Sequence, residues 1–105
     1  MEKSFDASLT LLVGFWKGNW GGGVLEVNIT SDLIGEVYII GHSDGVCSVR
    51  IEKNLVVCDI NRDDGMKQGF VCSFTSPTRL DGQYVHWNCS AFTNMYLEKV
   101  SNVED

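Results

Sequence analysis

Four cysteines, two histidines, a pair of adjacent aspartates and three tryptophans are the residues of this sequence whose types could carry chemistry. Cys47, Cys58, Cys72 and Cys89 include no Cys-x-x-Cys pair, the spacing that a zinc ribbon or a redox dithiol uses. Each falls inside an alternating apolar segment, so all four are expected as core residues, free Cys being among the most buried residue types. If residues 61–69 form a loop, Cys58 and Cys72 lie opposite each other on neighbouring strands. That register would permit a cross-strand disulfide, although two thiols are expected in a reducing compartment. His42 and His86 have no Ser or Cys nucleophile at a family-type spacing, and neither an HExxH motif nor a nucleophile elbow occurs. An exposed strand position is expected for His86. Asp63 and Asp64 precede Gly65 and are expected to serve a hairpin turn through side-chain to backbone hydrogen bonds. They are too few for a Ca²⁺ loop. Gly21-Gly22-Gly23 is likewise expected as a turn, because no helix follows it to complete a phosphate cradle. No acid, base and nucleophile set can be assembled, so a non-enzymatic role is expected, with no cofactor and no metal.

The aromatic residues are the more informative set. Trp16, Trp20 and Trp87 fall on inferred inward faces together with Phe70 and Phe74. They either pack a small core solid or wall a pocket at one open end, with Trp16 and Trp20 facing a flat apolar or sugar-like ligand. Tyr38 and His42 decide how polar that pocket would be. A two-residue turn at Asp44-Gly45 turns Tyr38, Ile40 and His42 inward. A three-residue loop over Ser43-Asp44-Gly45, with Gly45 left-handed, turns Val37, Ile39 and Gly41 inward instead. The second option buries the cleaner apolar set and is favoured. It leaves Tyr38 and His42 outside; with the first option kept open, the candidate ligand-binding residues are Trp16, Trp20, Tyr38, His42 and Trp87.

What must position these residues is a set of short strands. Eleven glycines, a single proline and many β-branched residues point to strands joined by tight turns. Residues 4–13 read as a short helical lead-in stopped by Gly14. Turn signals then divide the chain into about eight segments, near 15–20, 24–30, 36–42, 46–52, 55–61, 69–75, 83–91 and 94–100. Leu25, Val27 and Ile29 alternate with Glu26, Asn28 and Thr30. The sets Cys47/Val49/Ile51, Val56/Cys58/Ile60, Phe70/Cys72/Phe74 and Val85/Trp87/Cys89 each share a face. A two-residue turn at Lys53-Asn54 matches Ile51 to Val56, Val49 to Cys58 and Cys47 to Ile60, so that hairpin's register is determined. A meander this long with one apolar face must close on itself to keep that face dry. The expectation is an all-β, antiparallel up-and-down barrel forming one domain over 1–105, with a lead-in at 1–14, the barrel at 15–100 and a tail at 101–105.

Gly14-Phe15-Trp16, preceded by the lead-in and repeated as Gly18-Asn19-Trp20, resembles the Gly-x-Trp opening of the calycin barrels, the group of lipocalins, avidins and fatty-acid-binding proteins. The resemblance implies a first strand whose Trp closes one barrel end. It also implies a basic residue near the end of the last strand, for which Lys99 is the candidate.

The formal net charge is −6. That field repels a phosphate backbone or an anionic bilayer, so neither nucleic acid nor a membrane surface is an expected partner. The opening residues do not read as a signal peptide and no run reaches a spanning length, so a cytoplasmic location is expected. Asn28-Ile29-Thr30 and Asn88-Cys89-Ser90 are then chance glycosylation matches. The functional expectation is a small barrel binding a small, largely apolar ligand at one open end. The alternative is an interaction or accessory domain with a solid core, acting through an outer surface that includes Tyr38, Tyr84, His86 and Tyr96, as in a homodimer.

Overall fold

A period-two alternation of apolar and polar residues makes a strand one-sided, and it sets the strands of this barrel. The computed structural model describes residues 9–41, 44–86 and 91–101. One helical turn, α1 (Leu9–Leu12), leads into β1 (Gly14–Asn19), β2 (Val24–Ile29), β3 (Ile34–Ile39), β4 (Gly45–Glu52), β5 (Leu55–Arg62), β6 (Lys67–Ser76), β7 (Arg79–His86) and β8 (Ala91–Ser101). Each strand pairs antiparallel with the next, and β8 returns to pair with β1, giving a closed up-and-down barrel. Closure leaves no unpaired sheet edge. The interior holds Leu25, Val27, Ile29, Val37, Ile39, Val49, Val56, Ile60, Phe70, Leu80 and Leu97, all buried.

The hairpin at Lys53-Asn54 has the expected register: Ile51 opposes Val56, Val49 opposes Cys58 and Cys47 opposes Ile60. Both turn residues have positive φ, 51° and 67°, the backbone of a type I′ turn matched to the strand twist. On β3 the favoured facing holds, with Val37 and Ile39 buried and Tyr38 and Ile40 turned outward. The left-handed glycine of the following loop is Gly41 (φ 85°), not Gly45, which begins β4.

Three expectations are corrected. The turn expected between Ser76 and Gly82 is only the two residues Pro77 and Thr78, and β7 begins at Arg79. Asp81 and Gly82, which read as turn residues, lie within the strand. Asp81 pairs with Arg79 there, and a Cβ at position 82 would strike the backbone of Val71 and Cys72. The inward face of β7 is therefore Leu80 and Tyr84, both fully buried, and not the Val85 phase. Thr93 and Asn94, expected as a turn, pair with Tyr84 and Gln83 inside β8. Finally, β6 begins at Lys67, so Cys72 opposes Val56 and Cys58 opposes Phe70. Cys47, Cys58 and Cys72 are free thiols. Burial pushes the Cys72 thiol up to about 12 and raises that of Cys58 as well, which leaves both as poor nucleophiles.

Candidate functional site: the Trp20 end of the barrel

The two ends of the barrel are built differently. At one end α1 folds across the opening. Leu12 is fully buried, and its carbonyl accepts the Trp16 indole N–H at 2.9 Å. Trp16 is itself fully buried and meets the Phe74 ring at 6.2 Å. Lys99, near the end of β8, places its ammonium 5.2 Å from the centre of the Trp16 ring and donates to the Leu11 carbonyl. Helix, indole and ammonium together close this end, and the partial burial lowers the proton affinity of Lys99.

Trp20 lies four residues further along, a separation of about 13 Å in an extended strand, and marks the opposite end. The Gly21–Gly23 turn wraps its indole: the Trp20 backbone N–H donates to the Gly23 carbonyl at 3.0 Å, and a Cβ on Gly22 would overlap the ring. Trp20 packs against Tyr84 (centroids 5.5 Å apart) and His86 (5.4 Å), and Tyr84 meets His86 at 5.1 Å. The three rings thus form one mutually tilted wall. Trp20 and His86 are both half-buried, with the buried Tyr84 and Gln68 behind them.

Behind the rings runs a directed chain of hydrogen bonds. The Tyr84 hydroxyl donates to Gln68 Oε1 at 2.6 Å, and Gln68 Nε2 donates to His86 Nδ1 at 3.0 Å. This direction fixes the neutral imidazole with its proton on Nε2, because a proton on Nδ1 would set two donors face to face. Burial, and then the nearby Arg62 guanidinium, lower the proton affinity of His86 in the same sense. Burial raises the Tyr84 phenol strongly, and Arg62 partly offsets that. Gln68 is only 3% exposed and finds its partners within this chain.

Arg62 supplies the charge. It follows Val56, Cys58 and Ile60 on the inward phase of β5, and its side chain is 12% exposed. One Nη2 pairs with Asp64 at 2.6 Å across the turn. Its Nε is buried and has no hydrogen-bond partner among the described residues. Asp64 also accepts from the Met66 N–H, so Asp64 serves the turn as expected, while Asp63 is held there by its backbone N–H, which donates to the Asp44 carbonyl.

Of the five residues named from sequence, Trp16 and Trp20 are inward but at opposite ends. Trp16 closes one end and does not wall an open pocket. Tyr38 is on the outer face of β3, where its hydroxyl donates to Glu36 at 2.9 Å, so it takes no part in the interior. His42 and Trp87 lie outside the described residues, as does Cys89. The proposed outer patch also comes apart: Tyr84 is fully buried, His86 belongs to the inner wall, and β1 and β2 separate Tyr38 on β3 from Tyr96 on β8. Tyr96 instead carries the Arg79 guanidinium 4.6 Å above its ring. Sequence reasoning missed Arg62, Gln68, Tyr84 and His86 as a group. The available signal was the β5 alternation, which reaches Arg62 if continued one step beyond Ile60.

Among the described residues no group of three or more His, Cys, Asp or Glu is arranged to hold a metal ion. The Trp20 end brings together aromatic faces, a neutral imidazole and a guanidinium Nε donor with no partner among the described residues. A scan against protein-family models, a search of curated proteins and a search of solved structures returned no match.

Proposed function

We propose that this barrel is a non-enzymatic binder of a small, largely apolar ligand, taken up at the end walled by Trp20. The observation that carries this reading is the difference between the ends. One is plugged by α1, Trp16 and Lys99. The other presents the half-buried rings of Trp20 and His86 in front of the buried Tyr84, beside the Arg62 Nε donor that has no partner among the described residues. The barrel is read further as calycin-like, supported by the position of Trp16 beneath α1 and by Lys99 over its ring.

The test is titration with phenylnaphthylamine, a neutral dye that brightens in apolar sites. The parent protein should bind it with a stoichiometry near one dye per chain, with quenching of tryptophan fluorescence. Trp20→Ala should weaken binding by several-fold to about tenfold, the contribution of one aromatic contact with its buried area, while the variant still unfolds cooperatively. No binding by the parent, or equal binding by the variant, overturns the reading.

A second reading has one observation in its favour. Ile34 and Val46, 53% and 57% exposed, line an outer cleft of about 460 Å³ between β3 and β4. In that case the outer face would carry the function and the interior would be core alone.

A further inference from the structure

From the placement of Arg62 on the inner wall we infer that the ligand carries an anionic head group, seated on the Arg62 guanidinium while its flat apolar body lies against the half-buried Trp20 and His86. This deepens the proposed function and rests on it. A guanidinium offers five N–H donors in a fixed fork. Here Asp64 takes one at Nη2, and the Nε donor is buried without a partner among the described residues. Leaving a buried donor of a charged group unmade is costly, and an anion placed there removes that cost. A neutral ligand would leave it in place.

The surroundings favour an anion over a second cation. Arg62 is the charge that bears on both Tyr84 and His86 from within the barrel, and in each case it favours the less protonated form. Asp64, the partner already present, sits at the rim with its side chain 41% exposed and stays hydrated there. The net charge of −6 opposes an approaching anion, but charges more than about 8 Å away are largely screened at physiological salt, so the local donor decides. The same chemistry fits a carboxylate, a sulfonate or a phosphate monoester.

Two dyes with one aromatic body separate this inference from the reading beneath it. Anilinonaphthalene sulfonate is phenylnaphthylamine with a sulfonate added. The parent protein should bind the sulfonate at least about tenfold more tightly than the neutral dye, the order of one charge-assisted hydrogen bond in a largely buried site. Arg62→Gln should bring the sulfonate's affinity down to that of the neutral dye measured in the same variant, while Arg62→Lys should restore part of the preference. A flat aromatic carboxylate should compete with the sulfonate in the parent and fail to compete in Arg62→Gln. If neither dye binds, the proposed function itself fails. If both bind equally, or the preference survives Arg62→Gln, the anionic head group is wrong and the apolar site stands.

Discussion

Replacing Trp16 with alanine should cost about 3–5 kcal/mol of stability, the usual penalty for emptying a large aromatic core site. The indole is fully buried, its N–H donates to the Leu12 carbonyl, and its ring lies between Phe74 and the Lys99 ammonium. Its loss would remove the contact that ties α1 to the barrel. It would also leave a half-buried ammonium above a void, one of the few routes to a large single-site effect. Against a typical total of about 5–15 kcal/mol, much of the barrel's stability would go. At about 4–8 °C per kcal/mol for a domain near this size, the midpoint should fall by roughly 12 °C or more. Thermal and urea unfolding followed by circular dichroism would check this. Trp16→Phe, which keeps a ring and loses the hydrogen bond, should fall between the two. A loss below about 1 kcal/mol for the alanine variant would mean that this end is not closed as described.

Gly18→Val should be almost as damaging, for a reason of space. Gly18 lies in β1 between Leu25 on β2 and Leu97 on β8. A Cβ there would overlap the Tyr96 carbonyl and press on the Leu97 backbone, neither of which can swing away as a side-chain tip can. Forcing the seam apart should cost about 3 kcal/mol or more, the upper end of overpacking effects. The disruption should appear locally as faster hydrogen exchange at the β1–β8 amides, whose hydrogen bonds close the barrel. Gly23→Ala is the control. Its nearest neighbour would be Trp20 Nε1 at 3.6 Å, an ordinary contact, so stability should change by less than about 0.5 kcal/mol. Equal stability of Gly18→Val and the parent would show that β1 and β8 do not approach so closely.

Gly18 also shows how a sequence signal can be read correctly for the wrong reason. It stands out as the second Gly-x-Trp, yet its role is to admit the neighbouring backbone where the barrel closes. Elsewhere the sequence was explicit. Lys53-Asn54 between two cleanly alternating segments allowed one register, because a slip by one residue would have put Arg50 and Glu52 inside. The strand β7 was not legible in the same way. Asp81 and Gly82 carry turn chemistry, and the alternatives Tyr84/His86 and Val85/Trp87 are both plausible inner sets by hydrophobicity alone. Burial of Tyr84 depends on Gln68 across the sheet, a partner that no local pattern reveals. The Trp20 end was illegible because it breaks the rule that reads strands. Arg62 and Gln68 are polar residues on inward phases, and alternation counts such residues as outward or as turn. Departures of this kind concentrate at functional sites.

The central claim is that a ligand enters at the Trp20 end and leaves the Trp16 end untouched. Titration of the ¹⁵N-labelled protein with phenylnaphthylamine, observed by two-dimensional NMR, tests it within one spectrum. The indole N–H of Trp20 and the side-chain amide of Gln68 should shift strongly on saturation, through the ring current of a dye stacked beside them. The indole N–H of Trp16, hydrogen-bonded to Leu12 beneath α1, should hardly move. Shifts confined to the amides around Ile34 and Val46, or no shift at Trp20 at saturating dye, would contradict the account and move the function to the outer face.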